Sequence, residues 1–272
     1  MKVLQINVTC GKGSTGVIAT EIAQRLEAKG HEAYIAYGQG TTNYSKSFRI
    51  GTDLENKIHG LWNTRILGKE GFGTTCGTRK FIKWVDSIQP DVHNLHSNFL
   101  NFPMFFKYVR KKNIPVVYSL FDCWTFTGKC THFTEPRCRK WETECGNCPR
   151  LQTGPITWFF DRTKSLYNIK KKIFTTLPSL DIIVCSNWLK GEVEKSYLSK
   201  WPIHMIYNWI DMTKFKEIHD DSIYEKYGLN KNQKLLISVS ASWDDITTRY
   251  SDALRLAEII PNEYQLIIVG SL

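Results

Sequence analysis

Short apolar runs separated by longer amphipathic stretches set the rhythm of the chain. The first run, Val3 to Val8, leads into the glycine-rich Cys10-Gly11-Lys12-Gly13-Ser14-Thr15-Gly16. Val17, Ile18, Ile22, Ala23 and Leu26 then recur at helical spacing and stop near Gly30. Further apolar runs occupy 33–37, 116–120, 182–185, 203–207, 235–239 and 266–269. Near-continuous apolar strands are what a parallel sheet buried on both faces requires, so the alternation predicts an α/β fold with helices on either side.

A domain boundary is expected near Tyr207-Asn208-Trp209-Ile210-Asp211, dividing 1–207 from 208–272. After a polar stretch from Lys214 to Asp221 the β-α pattern restarts at Lys234, with a strand, a helix over about 248–260 and a last strand. Two strands and one helix bury too little to cover a sheet. The second unit therefore reads as the opening part of a larger domain.

Composition narrows the class. A chain of 272 residues with 42% hydrophobic content can bury a core, which excludes a disordered chain and a disulfide-stapled miniprotein. The formal charge of +10 points to anionic partners: phosphates, nucleic acid or an anionic membrane surface. No stretch approaches the ~18 apolar residues of a membrane span. The N-terminus is too short and polar for a signal peptide, so a cytoplasmic location is expected.

In a reducing compartment, clustered cysteines are more often metal ligands than disulfides. Of eight cysteines, five lie between Cys123 and Cys148. From Cys130 the spacing runs Cys-x7-Cys138-x6-Cys145-x2-Cys148-Pro149, which fits a tetrahedral structural zinc site within an insertion over 123–150. Reduced thiols or disulfides are the alternatives. Four sulfur ligands leave no open coordination position, so a metal here is structural and no catalytic metal is expected. Cys123, beside a strand end, is set apart from the ligands.

Three other features bear on chemistry. A glycine-rich turn between a first strand and a helix N-terminus is a phosphate-binding arrangement. The loop around Gly11, Gly13, Ser14 and Gly16 is read as short of both a Walker A sequence and a full dinucleotide fingerprint, with a plain turn capped by Ser14 or Thr15 as the alternative. His93 and His96 fall at a strand end, as does Asp122; strand carboxyl ends face the ligand crevice of an open α/β sheet. His96 and Asp122 are thus candidates to face one cleft, against a structural histidine at His93 and a turn-capping Asp122. Finally, Phe159, Leu166, Ile173 and Phe174 share a helical face flanked by Arg162, Lys164 and Lys170-Lys171-Lys172, with Lys107, Arg110, Lys111 and Lys112 as a second patch. That pattern suits an anionic membrane surface, or a solvated helix packed on the sheet. No nucleic-acid-binding module is recognisable, and no zinc-protease or serine-hydrolase motif.

Taken together, several segments resemble bacterial family-4 glycosyltransferases of the GT-B fold, in the subgroup that builds colanic-acid-like surface polysaccharides. They are the opening strand with its glycine loop and Thr15-Gly16-Val17-Ile18-Ala19; 94–101, Asn-Leu-His-Ser-Asn-Phe-Leu-Asn; Asp122-Cys123-Trp124-x-Phe126-Thr127-Gly128-x-Cys130; Cys138…Cys145-x-x-Cys148-Pro149; Cys185-Ser186-Asn187-Trp188-Leu189; and Ile206-Tyr207-Asn208-x-Ile210-Asp211. The resemblance implies two Rossmann-like domains facing a cleft, the first acceptor-side and the second holding a nucleotide-sugar. It implies metal-independent, retaining transfer to a polyprenyl-diphosphate-linked glycan at the inner face of the plasma membrane. Gly11, Gly13, Ser14, Gly16, Asn98, Asn208 and Arg249 become donor or acceptor contacts, with His96 and Asp122 as the catalytic pair. Phe121 stands where relatives usually carry histidine, and Ile246 to Tyr250 replace an Arg-Lys-Gly. The family's paired-glutamate segment is not found, so impaired transfer, an acceptor- or membrane-binding remnant, or pairing with a separate donor-domain chain are expectations as well.

Overall fold

The computed structural model describes residues 1–95, 100–134, 137–243 and 250–271, in two compact units, Met1–Asn208 and Trp209–Leu272. In the first unit the apolar runs become strands β1 (Lys2–Asn7), β2 (Glu32–Tyr37), β3 (Ser47–Arg49), β4 (Val92–Leu95), β5 (Val116–Leu120), β6 (Leu180–Val184) and β7 (Ile203–Met205). All pair in parallel, in the order β3-β2-β1-β4-β5-β6-β7. Helices α1 (Gly13–Ala28), α2 (Asp53–Ile58), α3 (Thr75–Ile88), α4 (Phe102–Lys112), α5 (Thr163–Thr175) and α6 (Asn187–Glu194) form the connections.

The two-residue period of β2 shows how the sheet is covered. Ala33, Ile35 and Tyr37 pack with Ala23 of α1, whereas Ala36 joins Phe81 and Val85 of α3 and the phenylalanines of α4. Gln5 of β1 points to the α1 side, where its buried amide donates to the Ala19 carbonyl at 2.6 Å. Phe102, Phe105, Phe106 and Phe174 pack edge-on or tilted at 4.5–5.5 Å, the arrangement aromatic quadrupoles favour. Side chains fix several helix starts: Asn101 accepts from the Met104 N–H, and Ser186 from the Leu189 N–H.

The second unit has α7 (Ser222–Tyr227), β8 (Lys234–Ser242), α8 (Tyr250–Ile259) and β9 (Tyr264–Ser271). β8 and β9 pair in parallel and leave Ile237 and Val239 62% and 73% exposed.

Helix α5 departs from the membrane-surface expectation. Leu166, Tyr167, Lys170, Ile173 and Phe174 are all buried, so its apolar face is spent on the core and Lys170 lies inside it. The Lys107–Lys112 patch is partly neutralised, because Lys112 pairs with Asp86 at 2.7 Å.

Candidate functional site

The strand order reverses between β1 and β4, and in an open α/β sheet that switch point opens the crevice at the strand carboxyl ends. The loop after β1 enters it directly. Gly11, Gly13 and Gly16 stand in Gly-x-Gly-x-x-Gly spacing, so reading the loop as short of the dinucleotide fingerprint is corrected here. Each glycine has a separate reason. Gly11 and Gly13 have φ of +72° and +65°, the left-handed region that costs other residues about 1–2 kcal/mol. A Cβ on Gly16 would fall 2.4 Å from Thr9 Oγ1 and 3.2 Å from the Thr9 backbone, so helix and loop meet there without room for a side chain. The cap expected from Ser14 or Thr15 is absent. Helix α1 begins after Lys12 with no side-chain cap, and Gly11 to Ser14 are exposed. Its first N–H groups and the adjacent Lys12 are thereby presented to an anion. A cavity of about 420 Å³ opens between this loop, Thr20 and Thr41 to Tyr44.

Around the same edge lies a larger cavity of about 620 Å³, within the size range of ligand sites. Gln39 after β2 borders it, with Asn56, His59, Arg65, Glu70 and Ile156. His59 is the buried first residue of a π-helical stretch, His59–Ile66. Its Nε2 accepts the Gly71 N–H at 3.2 Å, leaving the ring proton on Nδ1 for Thr74 Oγ1 at 2.7 Å. Burial holds its pKa below the ordinary histidine value. Glu70 is gripped from behind. The Trp124 indole N–H donates to its Oε2 at 2.8 Å, and the buried Lys170 ammonium sits 3.7 Å over the Trp124 ring while donating to the Trp124 carbonyl at 2.5 Å. Burial raises the Glu70 pKa, with the indole bond and Lys170 opposing, and burial brings Lys170 down to about 7. Glu70 was not among the sequence candidates, Trp124 stood there only as part of a family motif, and Lys170 only as part of a surface patch. They lie far apart in the chain, and Lys170 sits in a lysine run that reads as solvated.

Two apolar side chains that line the large cavity, Leu61 and Ile156, belong to stretches that are exposed and apolar. Ile58, Leu61 and Trp62 are 48–55% exposed, and Ile156, Trp158, Phe159 and Phe160 are 41–69% exposed. The Trp158 N–H donates to the Arg65 carbonyl at 2.7 Å, joining the two stretches, and Arg65 and Arg162 lie over the Trp158 and Phe160 rings.

The sequence candidates divide as follows. His96 and Asn98 directly follow β4 and its connection, but like Arg249 they lie outside the described residues. Asp122 follows β5, and its Oδ1 accepts the Trp124 N–H at 2.8 Å, the turn-capping alternative. Burial raises its pKa, partly offset by that bond. Asn208 is exposed at the end of the first unit. His93 is buried on β4 as a structural residue, but neither ring nitrogen has a hydrogen-bond partner among the described residues. Cys130, Cys138, Cys145 and Cys148 come together at one small cavity, while Cys123 is buried apart from them. Among the described residues no group of His, Cys, Asp or Glu stands in coordinating geometry, and no helix is long and apolar enough to cross a membrane.

Comparison with known proteins adds family information. A family model described as Glycosyltransferase Family 4 matches residues 15–214. Over 194 residues, 66% of this chain and 47% of the relative, the sequence is 27% identical to an Escherichia coli (strain K12) protein that carries the name colanic acid biosynthesis glycosyl transferase WcaC. The chain thus spans about half the length of that relative. Among solved structures, sucrose-phosphate synthase from Thermosynechococcus elongatus aligns with a TM-score of 0.63 at 10% identity, covering 99% of this chain and 62% of that one. Anabaena Alr3699/HepE, solved with UDP and glucose, aligns with a TM-score of 0.56 at 13% identity, covering 100% and 62%.

Proposed function

Because the chain belongs to glycosyltransferase family 4 and has the GT-B type of fold, we propose that it forms the acceptor-side part of an enzyme that moves a sugar from a nucleotide-sugar to a lipid-linked glycan in surface polysaccharide assembly. The observation that carries the reading is the glycine loop at the β1/β4 switch point within the family match.

In such a transfer the bond from the sugar's anomeric carbon to the nucleotide diphosphate breaks. A bond to an acceptor hydroxyl oxygen forms, and the hydroxyl proton passes to an oxygen of the departing diphosphate. The diphosphate oxygens gain negative charge in the transition state, so preorganised N–H dipoles and cations aimed at them lower the barrier. Gly11, Gly13 and Ser14 with the α1 N-terminus and Lys12 supply such groups on the first unit; Arg249, outside the described residues, is assigned to donor contacts by the family resemblance alone. His96 and Asp122 are assigned to the sugar side by the family resemblance, and Asp122 holds the turn after β5. Asn98 and Asn208 are assigned to donor or acceptor contacts.

The acceptor is placed in the 620 Å³ cavity, and its lipid explains the rim. Tryptophan and phenylalanine beside arginine suit the headgroup layer of an anionic bilayer, so the protein works peripherally on the cytoplasmic leaflet. The aromatic rim takes over the membrane role expected of α5.

Calorimetric titration with UDP, GDP and their common sugar conjugates tests the donor side. Saturable binding of one nucleotide, weakened about tenfold or more by Gly13→Asp, is the expected result; tenfold corresponds to about 1.4 kcal/mol. Binding that is indifferent to this substitution would remove the loop from the donor site, and no binding by any nucleotide would defeat the donor assignment for this chain.

A further inference from the structure

Glu70 lines the 620 Å³ cavity, and the two oxygens of its carboxylate are treated differently. Oε2 takes the Trp124 indole N–H, while Oε1 has no hydrogen-bond partner among the described residues. The backbone beside it is pinned. His59 Nε2 accepts the Gly71 N–H at 3.2 Å, and the Phe102 N–H donates to the Gly71 carbonyl at 2.8 Å. Gly71 has φ of +78°, and a Cβ there would lie 3.2 Å from the Trp124 ring. A carboxylate on so constrained a stretch holds its direction before any ligand arrives, which lowers the ordering cost of binding.

Trp124 ties this group to Asp122. Its backbone N–H donates to Asp122 Oδ1 and its indole N–H to Glu70 Oε2, both at 2.8 Å. Lys170 stacks on the same ring. Burial raises the pKa of both carboxyl groups, and the Lys170 charge acts against it on each. A neutral amide would satisfy the indole equally well, and Lys170 already has the Trp124 carbonyl and the Asp122 charge. What only a carboxylate adds at position 70 is a second, charged oxygen, an acceptor suited to hydroxyl donors.

The rest of the lining differs in chemistry from Glu70. Leu61 and Ile156 are apolar, and Lys57 and Arg65 are exposed cations. Arg65 lies over the ring of the exposed Trp158, 5.8 Å from its centroid, and so belongs to the aromatic side of the cavity. A sugar joined to lipid through phosphate offers hydroxyls at one end and anionic oxygens towards the other. Glu70 repels phosphate and attracts hydroxyls, whereas Lys57 and Arg65 attract phosphate. We propose, on the basis of the acceptor reading of this cavity, that Glu70 Oε1 accepts a hydrogen bond from a hydroxyl of the acceptor sugar while Lys57 and Arg65 take the phosphate that joins that sugar to its lipid. Glu70 makes and breaks no covalent bond; it selects the sugar and holds it.

Two probes separate the two ends: methyl glycosides of the common hexoses, which carry no phosphate, and geranyl diphosphate, which carries no sugar. Ligand-observed NMR with the full chain is expected to find a glycoside that binds Glu70→Gln about tenfold more weakly than the parent, although glutamine still offers the indole an acceptor. Geranyl diphosphate is expected to bind that variant as it binds the parent, and to bind Arg65→Gln about tenfold more weakly. Carbodiimide labelling of the parent, read by peptide mass spectrometry, requires no variant to fold: the bound glycoside slows modification of Glu70 and leaves the exposed Glu217 unaffected. Equal glycoside binding by parent and Glu70→Gln, or no protection of Glu70 by the glycoside, would overturn the role of Glu70 and leave the acceptor reading standing. A parent that binds neither probe would overturn both.

Discussion

His93 shows what a single buried titratable group does to a fold without taking part in chemistry. Its imidazole lies wholly inside β4 against the edge of Phe105, ring centroids 5.4 Å apart, and burial brings its pKa down to about 3. In the unfolded chain the ring takes a proton near pH 6.5. Between those values the unfolded state binds more protons, so the group draws stability away as pH falls below about 6.5 and has no such effect above it. At about 1.36 kcal/mol per unit the loss reaches roughly 2 kcal/mol by pH 5. His93→Leu is expected to flatten that acid limb and to change little at pH 7.5; urea midpoints of parent and variant at the two pH values check this. An equal drop in both proteins would place the acid sensitivity elsewhere.

Among the elements, α5 and the rim exchange roles relative to what the periodicity suggests. On vesicles containing anionic lipid, Trp158→Ser with Phe159→Ser is expected to reduce sedimentation about tenfold, while Lys171→Glu with Lys172→Glu changes it far less. The reverse ranking would return the membrane contact to α5. The strands were legible because a parallel sheet buries both faces: 33–37 and 116–120 are apolar at nearly every position, and 3–8 is apolar but for Gln5 and Asn7. The glycine loop was legible as a phosphate turn, although its full fingerprint spacing was overlooked. Helix α5 follows the alternative of a helix packed on the sheet, and only its lysine run was misread, for a physical reason. A lysine run reads as solvated, yet Lys170 enters the core because the Trp124 ring and carbonyl supply contacts that exist only after folding. Glu70 was illegible on the same ground, since its indole donor is Trp124, 54 positions away. Gly16 went the other way: its close approach to Thr9 sits within one turn and leaves a local mark.

For the whole molecule, the two units differ in how much they bury. The first closes seven strands around a large shared core, whereas β8 and β9 carry an exposed apolar face with α8 alone in their connection. The intervening stretch has Ile206, Tyr207, Ile210, Met212 and Phe215 all 52–68% exposed, outside any helix or strand. Limited proteolysis is expected to cut first between about 206 and 221 and to leave a resistant fragment close to the Met1–Asn208 unit, as mass spectrometry reads it. Simultaneous cleavage throughout the first unit would contradict that division.

The place of β1 in the sheet has a consequence for how the protein is made. One edge of β1 finds β2 within some thirty residues, but the other edge belongs to β4, whose first residue leaves the ribosome roughly 85 residues after β1 is complete. At about 5–20 residues per second that is a wait on the order of 4–17 s, during which the strand destined for the centre of the sheet has an unpaired edge. Translation speed across α2 and α3 therefore governs how long that edge is open to a chaperone, or to the same edge on a neighbouring nascent chain.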